Sequence, residues 1–170
     1  MIPILNKRCL EFKNMSGESE KYPTEDIIRI LSNLPDFLRE SMMKSRLKEL
    51  STKDPKAQNE FIDSILEGLS SADKDTLKKV IRTWLEIVTR LDSSEVSAIL
   101  SSFINRYEND SSMYESNYSA ILLEEYQSLK DDQRAILRDH LVEAALNQYG
   151  GRQLMQTLPE KIRSALELVN

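Results

Sequence analysis

Apolar residues recur at three- and four-residue spacing from about residue 24 onward, which is the period of an amphipathic helix. The clearest stripe follows Ser71 and lies on one side of a helix of about five turns: Leu77, Val80, Ile81, Trp84, Leu85, Val88 and Leu91. A second stripe runs from Val96 to Tyr107. Strand-like alternation does not occur over any useful length. The pattern therefore predicts an all-α fold, a compact bundle of about seven helices.

Capping residues and glycines divide this pattern into helices joined by short links. Asp54 is a predicted N-cap, followed by Pro55 in the first turn, where proline is tolerated. Gly150 and Gly151 are expected to end the helix that Asp131 starts, because glycine readily takes the left-handed conformation of a C-cap. Three more pairs have the spacing of a capping box: Asp92 with Glu95, Ser112 with Glu115, and Thr157 with Glu160.

The periodicity also indicates how the chain is organised. Residues 1–22 are expected to be a flexible N-terminal arm that Ile2, Ile4 and Leu5 could dock, and residues 23–170 a single helical domain. Apolar positions of 61–81 match those of 121–141 at a 60-residue offset. This match leaves open two repeated units, 54–109 and 112–170, although any two amphipathic helix pairs would produce the same spacing.

Composition excludes several protein classes. Four glycines in 170 residues are too few for a phosphate-binding α/β domain or a turn-rich β-sandwich. The single cysteine cannot form an internal disulfide. No stretch approaches the ~20 apolar residues of a membrane span, and the first residues lack a signal-peptide pattern. We therefore expect a soluble, cytoplasmic protein.

The residue types that carry most catalytic chemistry are scarce. The lone His140 has no second histidine with which to build a metal site on a helix, and Cys9 has no evident base. We expect no cofactor, no metal and no enzymatic activity. An alternative is an enzyme that binds magnesium through four acidic side chains: Glu115, Glu124, Glu125 and Asp131.

Charge is distributed unevenly, although the formal net charge is only −5. Cations gather at 44–56 and 74–82, whereas acidic residues gather at 108–132. Clustered cations can contact nucleic-acid phosphates, so an alternative function is a nucleic-acid-binding regulator. Its face would consist of Lys44, Arg46, Lys48, Lys74, Lys78 and Arg82.

An apolar surplus supports the interpretation that we favour. Two adjacent methionines and the wide apolar coverage of 96–107 indicate either a surplus over what one core needs or, for 96–107, the central helix of the bundle. A surplus would leave an exposed apolar patch, which is typical of interfaces. We therefore expect a non-enzymatic module for protein–protein interaction or regulatory self-association. Its candidate partner surface consists of Met42, Met43, Leu47, Phe103, Tyr107, Tyr114 and Tyr118.

Overall fold

The computed structural model describes residues 24–109, 117–148 and 151–168, and all regular structure in these ranges is helical. The predicted N-terminal arm, the Ser112–Glu115 pair and Tyr114 lie outside them. The chain is an all-α bundle, as the periodicity predicts. Within the described ranges the helices are α1 (Thr24–Asn33), α2 (Asp36–Ser51), α3 (Pro55–Ser71), α4 (Lys74–Val88), α5 (Ser93–Asn109), α6 (Asn117–Gln127), α7 (Asp131–Leu146), α8 (Gly151–Thr157) and α9 (Glu160–Ala165).

Side-chain caps fix the starts of several helices. The Asp54 carboxylate accepts a hydrogen bond from the backbone N–H of Ala57 at 3.0 Å, and Pro55 is the first residue of α3, as predicted. Asp73 caps α4 in the same way, and hydrogen bonds from the backbone N–H and hydroxyl of Thr76 lower the pKa of its carboxyl. Such caps satisfy backbone donors that the first helical turn leaves unpaired.

The C-terminal helix boundaries differ from those predicted. Helix α7 ends at Leu146, and Asn147 closes it in a right-handed conformation, so this C-cap needs no glycine. Gly151 instead begins α8. Thr157 is the last residue of α8 and does not cap α9, which starts directly after Pro159. The predicted capping box at 157–160 is therefore wrong, because the backbone at Thr157 is already helical.

Helix α4 lies at the centre of the bundle and packs against α1, α2, α6 and α7. Helices α5 and α7 also pack closely on each other, as do α1 and α3. Most of the large apolar residues of α4 are buried. None of the described helices is long and apolar enough to cross a membrane. The largest fully buried side chains are Ile28, Leu50, Ile62, Leu77, Ile87, Ile99, Val88 and Val96.

A buried arginine joins α2 to α4. Arg39 is 6 % exposed, and its Nε donates a hydrogen bond to Oγ1 of Thr83 at 2.9 Å. A second nitrogen donates to the carbonyl of Leu34 at 3.1 Å, and the third contacts the Asp36 carboxylate. Because a buried charge is tolerated only when it is hydrogen-bonded, this network fixes the turn between α1 and α2 against α4.

Candidate functional site

A large apolar cavity is the main feature of the described molecule. Its volume is about 1240 Å³, it is partly open to solvent, and α1 to α7 all contribute side chains to its wall. Ligand cavities in proteins usually measure roughly 300–1,000 Å³. The cavity is therefore large enough to hold several apolar side chains of a ligand.

The cavity wall contains six of the seven residues of the candidate partner surface: Met42, Met43, Leu47, Phe103, Tyr107 and Tyr118. They come from three helices, α2, α5 and α6. Met43, Leu47 and Tyr118 are buried, and the other three are half-buried. The structure thus brings these residues together around an internal space. The sequence pattern predicts an outer partner surface for them, because apolar residues have the same helical spacing on an exposed face and on the wall of a cavity.

Aromatic side chains give the wall a defined shape. The rings of Trp84 and Phe103 meet edge to face, with centroids 5.9 Å apart and planes inclined at 67°. This arrangement is favourable because the positive edge of one ring faces the negative face of the other. The hydroxyl of Tyr126 donates to the carbonyl of Arg134 at 3.2 Å, and burial raises the pKa of this phenol. The phenol of Tyr126 is thus hydrogen-bonded within this largely apolar wall.

A few polar side chains also line the cavity, among them Arg46, Lys53, Ser64 and Glu67. Glu49 lies between the two cations: its carboxylate contacts Lys53 at 3.0 Å and Arg46 at 2.6 Å. Hydrogen bonding to Lys53 and then to Arg46 holds the pKa of Glu49 below its ordinary value. These groups give the otherwise apolar wall a charged and polar part.

The predicted basic face is divided between different neighbouring helices. Lys48 of α2 pairs with Glu95 of α5 at 3.0 Å, so it points toward α5. Arg46 pairs with Glu49 on its own helix. Among the described residues no carboxylate forms an ion pair with Lys44 or Lys74.

The cations of α4 face the acidic residues of α6. Lys78 contacts Glu124 at 2.5 Å, and Arg82 lies 3.6 Å from Glu125. The hydrogen bond between the first pair lowers the pKa of Glu124 and raises that of Lys78. The uneven charge along the sequence is therefore partly matched within the fold, since α4 and α6 pack directly on each other.

The acidic residues considered for magnesium binding are engaged with cations where they are described. Glu124 and Glu125 face α4, and Asp131 contacts Arg134 at 2.6 Å, whereas Glu115 lies outside the described residues. Within the described ranges there is no group of three or more His, Cys, Asp or Glu side chains that could hold a metal ion.

Several wall residues were not singled out by the sequence analysis as site residues. Leu122 and Leu141 line the cavity, as does Ile162 in the C-terminal helix α9. In sequence they carry the same signal as core residues, so spacing alone could not separate wall from core. Comparisons with known protein families, with curated proteins and with solved structures find no match to this chain.

Proposed function

We propose that this chain is a non-enzymatic helical interaction module, and that its binding site is the apolar cavity. The observation that supports the proposal is the convergence of Met42, Leu47, Phe103, Tyr107 and Tyr118 on one cavity of about 1240 Å³. These side chains are distant in sequence, yet they share one concave apolar wall. A concave apolar wall with a few polar groups is the usual form of a binding site.

The ligand that fits this wall best is an apolar segment of a protein chain. Segments of this kind place apolar side chains into a groove between helices, and the groove excludes water around them. Met42 and Met43 suit such a site, because unbranched thioether side chains adapt to irregular surfaces. Arg46 and Glu67 would contact the polar backbone or flanking charges of the segment.

The proposal can be tested with the fluorescent apolar probe 8-anilinonaphthalene-1-sulfonate (ANS). Trp84 is the only tryptophan and lies in the cavity wall, so energy transfer from Trp84 to ANS reports binding near the cavity. We expect ANS to bind the full chain with transfer from Trp84. Replacement Ser64→Phe places a large ring in the cavity and should weaken ANS binding about tenfold.

The matched control is Ser45→Phe, which adds the same ring to an exposed position of α2. We expect this variant to bind ANS near Trp84 as tightly as the unchanged chain. Equal binding by the Ser64→Phe and Ser45→Phe variants would contradict the proposal.

A further inference from the structure

We infer that the apolar cavity is occupied by the N-terminal tip of this same chain, defined here as residues 2–12, which acts as an intramolecular ligand. The inference rests on the proposed function, since it takes the cavity to be a site for apolar protein segments. The inference identifies residues 2–12 as the segment that fills the cavity. This segment must leave the cavity before another segment can bind there. Three observations carry it: the composition of the tip, the place where it joins the bundle, and the charges on both partners.

The composition of the tip matches the wall of the cavity. Five of its eleven residues are large and apolar: Ile2, Ile4, Leu5, Leu10 and Phe12. The next eleven residues, 13–23, are mostly polar and contain Gly17 and Pro23. This division into an apolar end and a polar connection is what a tethered ligand requires, because the end can leave water while the connection stays solvated.

The chain enters the described structure beside the cavity. Helix α1 begins at Thr24, and three residues of this helix line the cavity wall: Ile27, Ile28 and Leu31. A polar connection of eleven residues spans at most about 40 Å when fully extended. The tip can therefore reach the cavity, and a short tether gives an effective concentration of about a millimolar.

The charges on tip and wall are complementary. The tip carries two cations, Lys7 and Arg8, and one carboxylate, Glu11, so its net charge is positive. Glu67 lines the cavity, and among the described residues no cation forms an ion pair with its carboxylate. The two cations of the wall, Arg46 and Lys53, are in contrast already paired with Glu49. A docked tip can thus place a cation beside Glu67 while its apolar residues enter the cavity.

The chain contains its own pair of labelling sites for a test. Cys9 is the only cysteine and lies in the tip, and Trp84 is the only tryptophan and lies in the cavity wall. A dansyl-type acceptor on Cys9 of the full chain therefore reports the distance between tip and cavity by energy transfer from Trp84. We expect efficient transfer that does not depend on protein concentration.

The decisive variant is Ile4→Asp combined with Leu5→Asp, which makes the tip polar. Its matched control is Ser16→Asp combined with Ser19→Asp, which adds the same two charges to the polar connection. We expect the first variant to lose part of the transfer, because its tip leaves the cavity but stays tethered beside it, and the control to keep all of it. ANS binding by the unlabelled chains should rise about fivefold in the first variant alone, because the tip no longer competes for the cavity.

The outcomes separate this inference from the proposed function. One outcome is that ANS binds equally near Trp84 in all three chains and that energy transfer from Trp84 to the label on Cys9 is unchanged. This outcome overturns the inference and leaves the proposed function in place. Transfer that grows with protein concentration also overturns it, because the tip of a second copy then fills the cavity. If ANS binds none of the chains near Trp84 and the transfer is the same in all of them, both proposals fail.

Discussion

The two sides of helix α4 are packed in different ways. On one side Thr83 receives a hydrogen bond from the buried Arg39 of α2, and Ile87, one turn further along, is 1 % exposed. On another side Ile81 and Trp84 line the cavity. We call these the sealed side and the cavity side. The sealed side has a directional bond and complete packing, so it fixes the fold, whereas the cavity side borders a space that the helices do not fill.

Replacement of an isoleucine by alanine on each side tests this difference most strongly. Ile87→Ala should lower the free energy of unfolding by about 4 kcal/mol, because truncation in a fully packed site leaves a void that neighbours cannot fill. Ile81→Ala removes the same atoms from the same helix, but Ile81, although only 5 % exposed, borders the cavity, so part of the space left by truncation joins a cavity that already exists. We expect it to lower stability by only about 2 kcal/mol, near the lower end for such truncations.

Urea unfolding followed by circular dichroism measures both changes. The denaturant dependence should be alike in the two variants, so that their midpoints can be compared directly. Equal losses for Ile81→Ala and Ile87→Ala would mean that the cavity side is as closely packed as the sealed side.

The hydrogen bonds of Arg39 should produce the next largest effect. Arg39→Met keeps much of the side-chain volume but leaves the buried Thr83 hydroxyl and the Leu34 carbonyl each with one partner fewer. Hydrogen bonds to charged groups contribute about 1.5–3 kcal/mol, so we expect stability to fall by about 2–3 kcal/mol. The matched control is Arg90→Met, since Arg90 forms an ion pair with Glu40 at 2.8 Å but is half exposed. Exposed pairs contribute up to about 1 kcal/mol, and a similar loss in both variants would contradict the role of Arg39.

Local features of this fold could be predicted from the sequence, and Asp54 and Asp131 are examples. The cap and the proline at 54–55, and the acidic start of α7, act within one helical turn, so their effect does not depend on the rest of the chain. The cavity depends instead on which helices pack together. Phe103 and Tyr118 have the apolar spacing of core residues, and only the packing of α5 and α6 places them around an open space.

Filling the cavity should have a smaller effect, of opposite sign. Ser64→Phe places a ring against the apolar wall, and burial of such a side chain contributes about 1.5–3 kcal/mol. Because the cavity is partly open to solvent, the ring is only partly buried, and we expect a gain in stability of about 1 kcal/mol. Ser45→Phe, on the exposed surface of α2, should leave the urea midpoint unchanged. A loss of stability in Ser64→Phe would show that the space beside Ser64 is too small for the ring.

The charge pattern shows a second limit of sequence analysis. The cations at 74–82 and the acidic residues at 124–125 could be recognised as clusters, but their partners could not. The contacts of Lys78 with Glu124 and of Arg82 with Glu125 join residues more than forty positions apart. Such pairs form because α4 and α6 are neighbours in the fold, and no spacing rule within a single helix indicates this.

The smallest effect should come from this exposed contact between α4 and α6. Because the pKa of Glu124 is lowered in the folded chain, its charged form stabilises the fold above the ordinary pKa of 4.5, and this contribution is lost as the pH falls through the lower, folded value. Glu124→Gln should therefore shift the urea midpoint slightly downward at neutral pH and leave it unchanged below the folded pKa of Glu124, where both chains are uncharged at this position. Added salt should reduce the difference at neutral pH, because exposed charges are screened. Glu60→Gln, whose carboxylate lies 3.9 Å from Lys56 in a more exposed pair, serves as the control. A difference between Glu124→Gln and the unchanged chain that persists below the folded pKa of Glu124 would mean that the side chain acts through packing and not through its charge.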